Sequence, residues 1–325
     1  MKPVIAVIAG GDSSEYIVSV KSGQNVFNAI DKTKFSPWLV QMREQEWQVF
    51  DQDGSVIPLD KSDFSFTLNN KKIRFDFAYI TIHGTPGEDG ILQGYFDLLR
   101  IPYSTCNVHA SSLTFNKWYC SNYLRNFGIK MAKSVLLKKG ETLDIPRLLN
   151  EIGLPAFVKP NAGGSSFGVT KVKAGEALRE AVEKAWEESN EALVEEFIQG
   201  TEFTCGLVKF KNRDLIFPVT EVIPKNEFFD YEAKYTHGVT EEITPARLPA
   251  DLFKKCQQLS SGIYDLCNCS GIVRIDYILK ENEFYFLEVN TTPGMTATSF
   301  IPQQINAMNM TLTEVLTLVI EDRLR

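Results

Sequence analysis

The sequence predicts a protein of the mixed α/β (α+β) class, and three observations indicate this class. Residues 4–9 (VIAVIA) are a continuous apolar run, typical of a parallel strand covered on both faces. The same order of strand, glycine-containing loop and helical pattern appears again over residues 77–101. From residue 191 onward, the sequence instead shows a series of short segments with the alternating pattern of β-strands. Parallel and antiparallel parts are therefore expected in one chain.

The first strand–loop–helix units predict a Rossmann-like α/β domain over residues 1–102. After the first strand, a glycine turn leads into a helix over residues 13–30 with a serine cap. The second strand, FAYITIHG (77–84), leads through TPGEDG into a helix over residues 91–101. The edge at which such strands end is the usual ligand crevice of an α/β sheet.

Two further domains are predicted, over residues 103–190 and 191–325. The central one holds a helix over residues 110–126, a strand–glycine loop–strand segment and a charged helix over residues 175–188. The last one contains a polar, aromatic-bearing stretch without a clear period at residues 224–242. A loop of that length is often a functional lid.

Composition excludes several classes of function. A chain of 325 residues with 44% hydrophobic and 23% charged residues is an ordinary soluble globular protein with two or three packed units. A net charge of −7, with no basic cluster longer than two lysines, argues against nucleic-acid binding. No apolar run reaches the roughly 18 residues of a membrane span, so no membrane interaction is expected.

The cellular compartment follows from two further features. The N-terminal apolar run of about five residues is too short for a signal peptide, so a cytoplasmic location is expected. The six cysteines form no CxxC pair, which favours buried or free thiols in a reducing compartment.

A hairpin near the C-terminus carries charge where a sheet should be apolar. Arg274 and Asp276 are two residues apart in its first strand, and Glu288 and Asn290 are two residues apart in its second. A three-residue loop over 281–283 would place Asp276 opposite Glu288 and Arg274 opposite Asn290. A two-residue turn would send the two carboxylates to opposite faces, so the sequence predicts the longer loop.

Two carboxylates this close repel each other unless a cation lies between them. Oxygen ligands indicate a hard ion, and Mg²⁺ prefers a few carboxylates together with substrate phosphates. The alternative is a solvated outer face with an ion pair to Arg274. In the predicted register Phe284 and Phe286 share that face and would then lie in water, whereas Leu287 faces the core, which favours the metal site.

The segment KPNAGGSSFG (159–168) supplies glycines and hydroxyls, the materials of a phosphate-binding loop. It lacks the P-loop order and is followed by a strand, so it would act as a β-hairpin flap; a plain turn is the alternative. Further on, Glu195 and Glu202 flank a strand end where an adenine amino group or ribose hydroxyls could bind. Without a nucleotide, that segment is an ordinary strand with surface acids.

The ordered set of motifs resembles the D-alanine–D-alanine ligase family of the ATP-grasp superfamily. The motifs are GGDSSEYIVS, HGTPGEDG, the glycine flap, DYEAKY in the predicted lid, RID…LEVNTTPGMT and GMTATSFIP. They are spread over nearly the whole chain. The resemblance implies an ATP-grasp fold behind the Rossmann-like domain.

The resemblance also implies a nucleotide site with ATP as co-substrate and two Mg²⁺ ions, with Mn²⁺ as an alternative ion. The implied metal ligands are Asp276, Glu288 and Asn290. Lysines would contact the phosphates, and the acidic strand end would hold adenine and ribose. The implied ATP-binding residues are Lys117, Lys159, Glu195, Glu196, Phe197, Ile198, Glu202 and Lys234.

For the reaction, the resemblance implies that one D-alanine forms an acyl phosphate, which the amine of a second D-alanine then attacks. Glu15 would hold the first ammonium, linked through Ser165 to Tyr235, while Arg274 and the N–H of Gly294 would form an oxyanion hole. The residues implied around the substrates are His83, Ser299 and Phe300.

Some positions depart from the family pattern. Tyr16 replaces a usual His, Phe300 replaces a common Leu, and the glycine flap lacks the usual preceding Arg and Glu. Tyr235 goes with dipeptide rather than D-lactate ester formation in the family. Two alternatives stay open. One is an ATP-grasp ligase that joins D-alanine to another amino or hydroxy acid, and the other is a nucleotide-binding sensor that has lost catalysis. The resemblance also implies a homodimer. A dinucleotide dehydrogenase is excluded because the GxGxxG motif is missing.

Overall fold

The computed structural model describes residues 2–51, 53–164, 167–224 and 240–324. The α-helices are α1 (Tyr16–Ala29), α2 (Ile91–Leu99), α3 (Val108–Phe115), α4 (Lys117–Arg125), α5 (Ile145–Ile152), α6 (Leu178–Glu188), α7 (Ala250–Leu266), α8 (Phe300–Ala307) and α9 (Leu312–Arg323). A short 3₁₀ helix, Gly175–Ala177, precedes α6.

The strands form three larger sheets and one small hairpin. Their bounds are β1 (Val4–Gly10), β2 (Ser36–Arg43), β3 (Glu46–Phe50), β4 (Val56–Pro58), β5 (Ser65–Leu68), β6 (Lys71–Arg74), β7 (Phe77–Ile80), β8 (Ser134–Lys138), β9 (Ala156–Pro160), β10 (Thr170–Val172), β11 (Glu191–Glu196), β12 (Thr201–Phe210), β13 (Arg213–Ile216), β14 (Thr220–Pro224), β15 (Thr240–Ile243), β16 (Val273–Lys280) and β17 (Glu283–Asn290).

The first sheet has the order β4-β3-β2-β1-β7, with β1 parallel to both β2 and β7. The predicted buried parallel strand is therefore confirmed at β1. The predicted serine cap of α1 is wrong, because the N-cap residue is Glu15 and its side chain makes no capping bond. Ser13 instead donates its hydroxyl to the carbonyl of His83, joining the loops that follow β1 and β7.

The second sheet, β10-β9-β11-β8, is antiparallel. The helix predicted over residues 110–126 is two helices, α3 and α4, that break at Asn116. Its backbone is extended (φ −85°, ψ 100°), and its side chain accepts a hydrogen bond from the N–H of Tyr119. An Asn that satisfies the free N–H groups of a new first turn ends one helix and begins the next.

The third sheet has the order β15-β14-β12-β16-β17, with β13 paired to β12. Strand β14 pairs with β15, so that Val222 lies opposite Glu242 and Pro224 opposite Thr240. The predicted lid over 224–242 is therefore too long, since both of its ends belong to strands. Residues 225–239 lie outside the described part of the chain.

The core of the first sheet continues into the C-terminal helices. Ile5 and Val7 of β1 belong to one buried apolar cluster with Val315 and Val319 of α9 and Ile301 of α8. Burial of such aliphatic side chains contributes about 1.5–3 kcal/mol each. The two ends of the chain are thus packed together, which holds the loops after β1 beside the loop that precedes α8.

Two expectations from composition can be compared with this structure. All six cysteines, which lie within the described ranges, are buried free thiols as expected. Among the described residues, no helix combines the length and the apolar character needed to cross a membrane.

Candidate functional site

A cavity of about 680 Å³ is lined by strands of the second and third sheets and by the loops that follow β1, β7 and β17. It contains every predicted site residue that the structure describes. These are Glu15, His83, Lys117, Lys159, Glu195, Glu196, Phe197, Ile198, Glu202, Arg274, Asp276, Glu288, Asn290, Gly294, Ser299 and Phe300. Ser165, Lys234 and Tyr235 lie outside the described residues.

The charged hairpin β16–β17 has the predicted pairing but not the predicted turn. Asp276 lies opposite Glu288 and Arg274 opposite Asn290. The turn, however, has two residues, Glu281 and Asn282, both with positive φ (52° and 63°), the pattern of a type I′ hairpin.

A β-bulge restores the parity that the short turn removes. The register shifts between Asp276 and Tyr277, so that Tyr277 lies opposite Phe286 and Leu287 is the additional residue of β17. The assignment of Phe284 and Phe286 to the charged face is therefore wrong, since both are buried in the core. Leu287, assigned to the core, lines the cavity instead.

Both carboxylate oxygens of Asp276 accept two hydrogen bonds each in this structure. Arg274 donates from Nε to Oδ1 at 2.9 Å and from Nη2 to Oδ2 at 2.7 Å. Thr204 Oγ1 donates to Oδ1 at 2.5 Å, and Asn290 Nδ2 donates to Oδ2 at 3.0 Å. The carboxylate is 7% exposed, so its charge is balanced by the guanidinium.

Glu288, the second carboxylate, is paired with a lysine from another element. Lys117 Nζ lies 3.2 Å from Glu288 Oε2 and donates to the carbonyl of Gly163 in the glycine loop at 2.7 Å. Burial alone would lower the pKa of Lys117, but the negative charges of Glu288, Glu88 and Glu15 outweigh it and raise the pKa. Lys117 therefore stays charged and links the first turn of α4, the glycine loop and the hairpin.

The donor set suits a hard cation. In the described part of the chain, no three His, Cys, Asp or Glu residues converge as metal ligands. Asp276 and Glu288 are nevertheless cross-strand partners, with Asn290 directly beyond. Two carboxylates, one amide oxygen and ligand phosphates are the oxygen set that Mg²⁺ prefers. Arg274 and Lys117 neutralise this set here, so the residues fit a divalent ion.

The opposite wall of the cavity presents a second ion pair and aromatic rings. Lys159 Nζ lies 2.6 Å from Glu195 Oε2, and both side chains are 14% exposed. The rings of Phe157 and Phe197 lie 5.8 Å apart, and Lys171 Nζ lies 4.1 Å from the centroid of Phe197. This aromatic slot beside acidic and basic groups suits a heteroaromatic base followed by phosphates.

The loops after β1 and β7 bring a carboxylate to the glycine loop. Glu15 is 6% exposed, and a Cβ atom on Gly164 would lie 2.4 Å from its Oε2. The glycine loop reaches Glu15 because Gly164 has no side chain. Burial, and then the charge of Glu15, raise the pKa of neighbouring Glu88, which accepts hydrogen bonds from the N–H groups of Gly84 and Thr292.

His83 belongs to the same corner. It is buried, and its Nε2 lies 3.3 Å from the hydroxyl of Ser22, which accepts a hydrogen bond from the N–H of Met295. The imidazole is thereby linked to the loop that follows β17.

Gly294 and Ser299 lie next to each other before α8. A Cβ on Gly294 would approach Ser299 Oγ to 2.9 Å, and Ser299 Oγ accepts the N–H of Thr296 at 3.1 Å. The adjacent Phe300 ring packs 5.5 Å from the guanidinium carbon of Arg274. A backbone N–H, a hydroxyl and a guanidinium therefore line the same part of the cavity.

Sequence reasoning missed three charged residues of the cavity wall. Arg247 donates to both oxygens of Glu221 at 2.9 Å, which holds the pKa of that carboxyl below its usual value. Burial raises the pKa of Glu242, although the hydrogen bond from Gln303 and the charge of Arg274 oppose the effect. Glu242 and Arg247 lie in TEEITPAR (240–247) and Glu221 in TEVIP (220–224), and neither segment differs in its sequence from an exposed polar stretch.

Two antiparallel sheets that enclose one cavity, one with a glycine loop and the other with an Asp–Glu–Asn hairpin, define the ATP-grasp class. Solved structures of this class superimpose on the whole chain. VanG D-Ala:D-Ser ligase from Enterococcus faecalis matches with a TM-score of 0.87 and 32% identity, over 99% of both chains. D-alanine–D-alanine ligase from Bacillus anthracis complexed with ATP matches with a TM-score of 0.79 and 33% identity, over 100% of this chain and 98% of that one.

Sequence comparison identifies the particular family. The family model described as D-ala D-ala ligase C-terminus matches residues 123–321, and the one described as D-ala D-ala ligase N-terminus matches residues 4–106. The D-alanine–D-alanine ligase of Phocaeicola vulgatus is 56% identical over 99% of this chain and 100% of its own length. The chain belongs to the D-alanine–D-alanine ligase family.

Proposed function

We propose that this enzyme ligates two D-alanines to D-alanyl-D-alanine, converting ATP to ADP and phosphate, and so supplies peptidoglycan synthesis. One observation carries the proposal: the Asp276–Glu288–Asn290 face and Arg274 open onto the same cavity as the two lysines Lys117 and Lys159. Phosphate-neutralising groups and an anion-stabilising group thus converge on one space. Family membership and the relatives' names support the same reaction.

ATP would lie with its base in the aromatic slot and its phosphates toward the hairpin. Glu195, Glu196, Phe197 and Ile198 would contact the adenine edge, and Glu202 the ribose. Lys117 and Lys159 would contact the α- and β-phosphates and Lys234 the γ-phosphate. The present partners of the first two lysines, Glu288 and Glu195, would release them as the phosphates bind.

Asp276, Glu288 and Asn290 would hold two Mg²⁺ ions, or Mn²⁺ in their place. When bound, these ions supply charge that neutralises the phosphate oxygens of ATP.

In the first step, the carboxylate of one D-alanine attacks the γ-phosphate and ADP leaves, giving D-alanyl phosphate. Glu15 would hold the ammonium of this D-alanine, with Ser165 and Tyr235 connected to it, and His83 would lie nearby. Glu15 is buried and already faces the glycine loop, which supports this assignment. A lid between β14 and β15 would exclude water from the acyl phosphate.

In the second step, the ammonium of the second D-alanine loses a proton, and the resulting amine attacks the acyl carbon. The C–N bond forms, the C–O bond to the phosphate breaks, and phosphate leaves with the further proton that the nitrogen loses. Arg274 and the N–H of Gly294 would stabilise the oxyanion. Ser299 would bind the carboxylate of the second D-alanine beside Phe300. The short distances among these groups support one common subsite.

We also propose three domains (1–102, 103–190, 191–325), a homodimer and a cytoplasmic location. Ile91 and Leu98 of α2, in the first domain, are 64% and 85% exposed. An apolar helix face of this kind supports association through the first domain. Light scattering after gel filtration would give twice the chain mass; a monomer would contradict the dimer alone.

A mass-spectrometric product assay tests the reaction. The enzyme would receive Mg-ATP with equal D-alanine, D-serine and D-lactate, and a control would omit ATP. A dominant, ATP-dependent D-alanyl-D-alanine peak is expected. A dominant mixed product would contradict the acceptor specificity, and the absence of any ligated product would contradict the proposed function.

A further inference from the structure

We propose that Glu242 binds the ammonium group of the second substrate and thereby makes the enzyme select an amino acid over a hydroxy acid as acceptor. This inference rests on the proposed function, and it assigns a specificity-determining role to a residue outside the motifs discussed above. The argument depends on the place of Glu242 in the cavity, on the contacts of its carboxylate and on the charges around it.

Glu242 is placed in the cavity wall by its strand. It lies in β15 opposite Val222 of β14, and both residues line the cavity together with Thr298, Ser299 and Phe300. Its neighbour Glu241 is exposed and does not line the cavity, because adjacent residues of a strand point to opposite faces. Of two adjacent glutamates, therefore, only one faces the space where the second substrate is proposed to bind.

The carboxylate of Glu242 is held in position by one side chain. Gln303 Nε2 donates to Glu242 Oε2 at 2.6 Å and to the carbonyl of Thr298 at 2.8 Å. Gln303 lies one helical turn after Ser299, and its N–H donates to the carbonyl of Ser299 at 3.2 Å. One bridging amide therefore links Glu242 to the segment that carries the proposed carboxylate-binding hydroxyl.

This arrangement leaves one acceptor oxygen available. Among the residues that the structure describes, Gln303 is the only hydrogen-bond donor to Glu242, and it uses Oε2. Oε1 can therefore receive a donor from a bound molecule. A partly buried carboxylate that keeps one unused oxygen in a ligand cavity favours a cationic ligand group.

An amino acid acceptor is a zwitterion, so its subsite needs a group for each charge. Ser299 offers a hydroxyl for the carboxylate, and Glu242 offers a negative charge on the same wall for the ammonium. Arg274, which contributes a positive charge toward Glu242, lies beside Phe300 at the proposed reaction centre. A hydroxy acid such as D-lactate has no ammonium group. It would therefore leave the Glu242 carboxylate without a cationic hydrogen-bond donor.

The test is an acceptor competition between D-alanine and a large excess of D-lactate, with Mg-ATP, read as the ratio of D-alanyl-D-alanine to D-alanyl-D-lactate. The ratio does not depend on how much enzyme is folded or active. Charge-assisted hydrogen bonds contribute enough that Glu242→Gln should lower the ratio about 10- to 100-fold. Glu242→Met, which removes all hydrogen bonding, should lower it at least as much.

Glu241→Gln is the matched control, since it removes the same charge from the adjacent, exposed position. Its product ratio should equal that of the wild type. An unchanged ratio in both Glu242 variants, or an equal fall in Glu241→Gln, would overturn the inference while leaving the ligase reaction intact. A wild type that forms no dipeptide would instead overturn the proposed function.

Discussion

Replacement of Arg274 by Met should destabilise the enzyme in a way that Mg²⁺ reverses. Arg274 and Asp276 are 15% and 7% exposed and share two hydrogen bonds, of 2.9 and 2.7 Å. Removing one partner of a buried ion pair typically costs about 3–5 kcal/mol, because the other charge is left without compensation. Asp276 keeps Thr204 and Asn290 as donors, so we expect about 2 kcal/mol.

The chain offers a matched control for this variant. Arg247 makes the same bidentate contact with Glu221, with two hydrogen bonds of 2.9 Å, but the Arg247 side chain is 61% exposed. Because water screens this pair, Arg247→Met should cost about 0.5 kcal/mol or less. The bidentate geometry of the two pairs is alike, whereas the arginine is 15% exposed in one and 61% exposed in the other, so the comparison sets a buried arginine against a solvent-screened one.

Thermal unfolding with EDTA and with excess Mg²⁺ measures the effect. For a chain of 325 residues, about 2 kcal/mol corresponds to a Tm lowered by roughly 3 °C in EDTA for Arg274→Met. Excess Mg²⁺ should raise that Tm toward the wild-type value, because an ion bound only to the folded state stabilises it. The same deficit with and without Mg²⁺, or an equal deficit in Arg247→Met, would refute the reasoning.

Four further perturbations test the site and the fold. Glu288→Gln should lower ADP release with Mg-ATP and D-alanine by at least about 10- to 100-fold, the loss typical even of groups that only support metal ligands; unchanged turnover would contradict its role. Gly271→Ala should destabilise the protein by more than about 1 kcal/mol, because φ is +72° and the new Cβ would lie 1.9 Å from a carbonyl oxygen. Gly262→Ala in α7, with open space around it, should stabilise the protein by about 0.5–1 kcal/mol. A urea titration of the two glycine variants and the wild type measures both changes. Arg247 lowers the pKa of Glu221 from 4.5, so the stability from this pair is present above that pH and is lost as the pH falls through the lowered pKa. Unfolding of Arg247→Met and wild type should therefore differ near neutral pH and converge in acid; a constant difference would contradict this.

The sequence allowed prediction of those parts of the site that depend on local order. A buried parallel strand, a glycine turn and a helix follow one another in β1 and α1, and their short-range patterns do not depend on the rest of the fold. Residues two apart on a strand share a face, so Arg274 and Asp276 could be assigned to one surface. Such local rules place individual side chains, but they do not show which elements meet.

Residues whose role depends on tertiary contact were not predictable in this way. Glu242 lies at the end of the segment predicted as the lid, and nothing in TEEITPAR distinguishes it from exposed Glu241. Only the pairing of β15 with β14 assigns the two to opposite faces. The break between α3 and α4 is a similar case, since Asn116 caps a helix in a segment whose periodicity continues across it.

The hairpin shows how a correct pairing can follow from an incorrect turn. Parity requires an odd number of additional residues between Asp276 and Glu288, and a three-residue loop supplies it as well as a two-residue turn with one bulge does. The two solutions differ in where Phe284 and Phe286 point, and only the bulge buries both rings without moving the carboxylates apart. Burial of two phenylalanines contributes about 3–6 kcal/mol, well above the cost of one interrupted ladder position. The positions of the two phenylalanines thus contained information that the loop length did not. Two aromatic rings on a charged face were evidence against the predicted register, and they were not evidence that a bound ligand shields the rings from water.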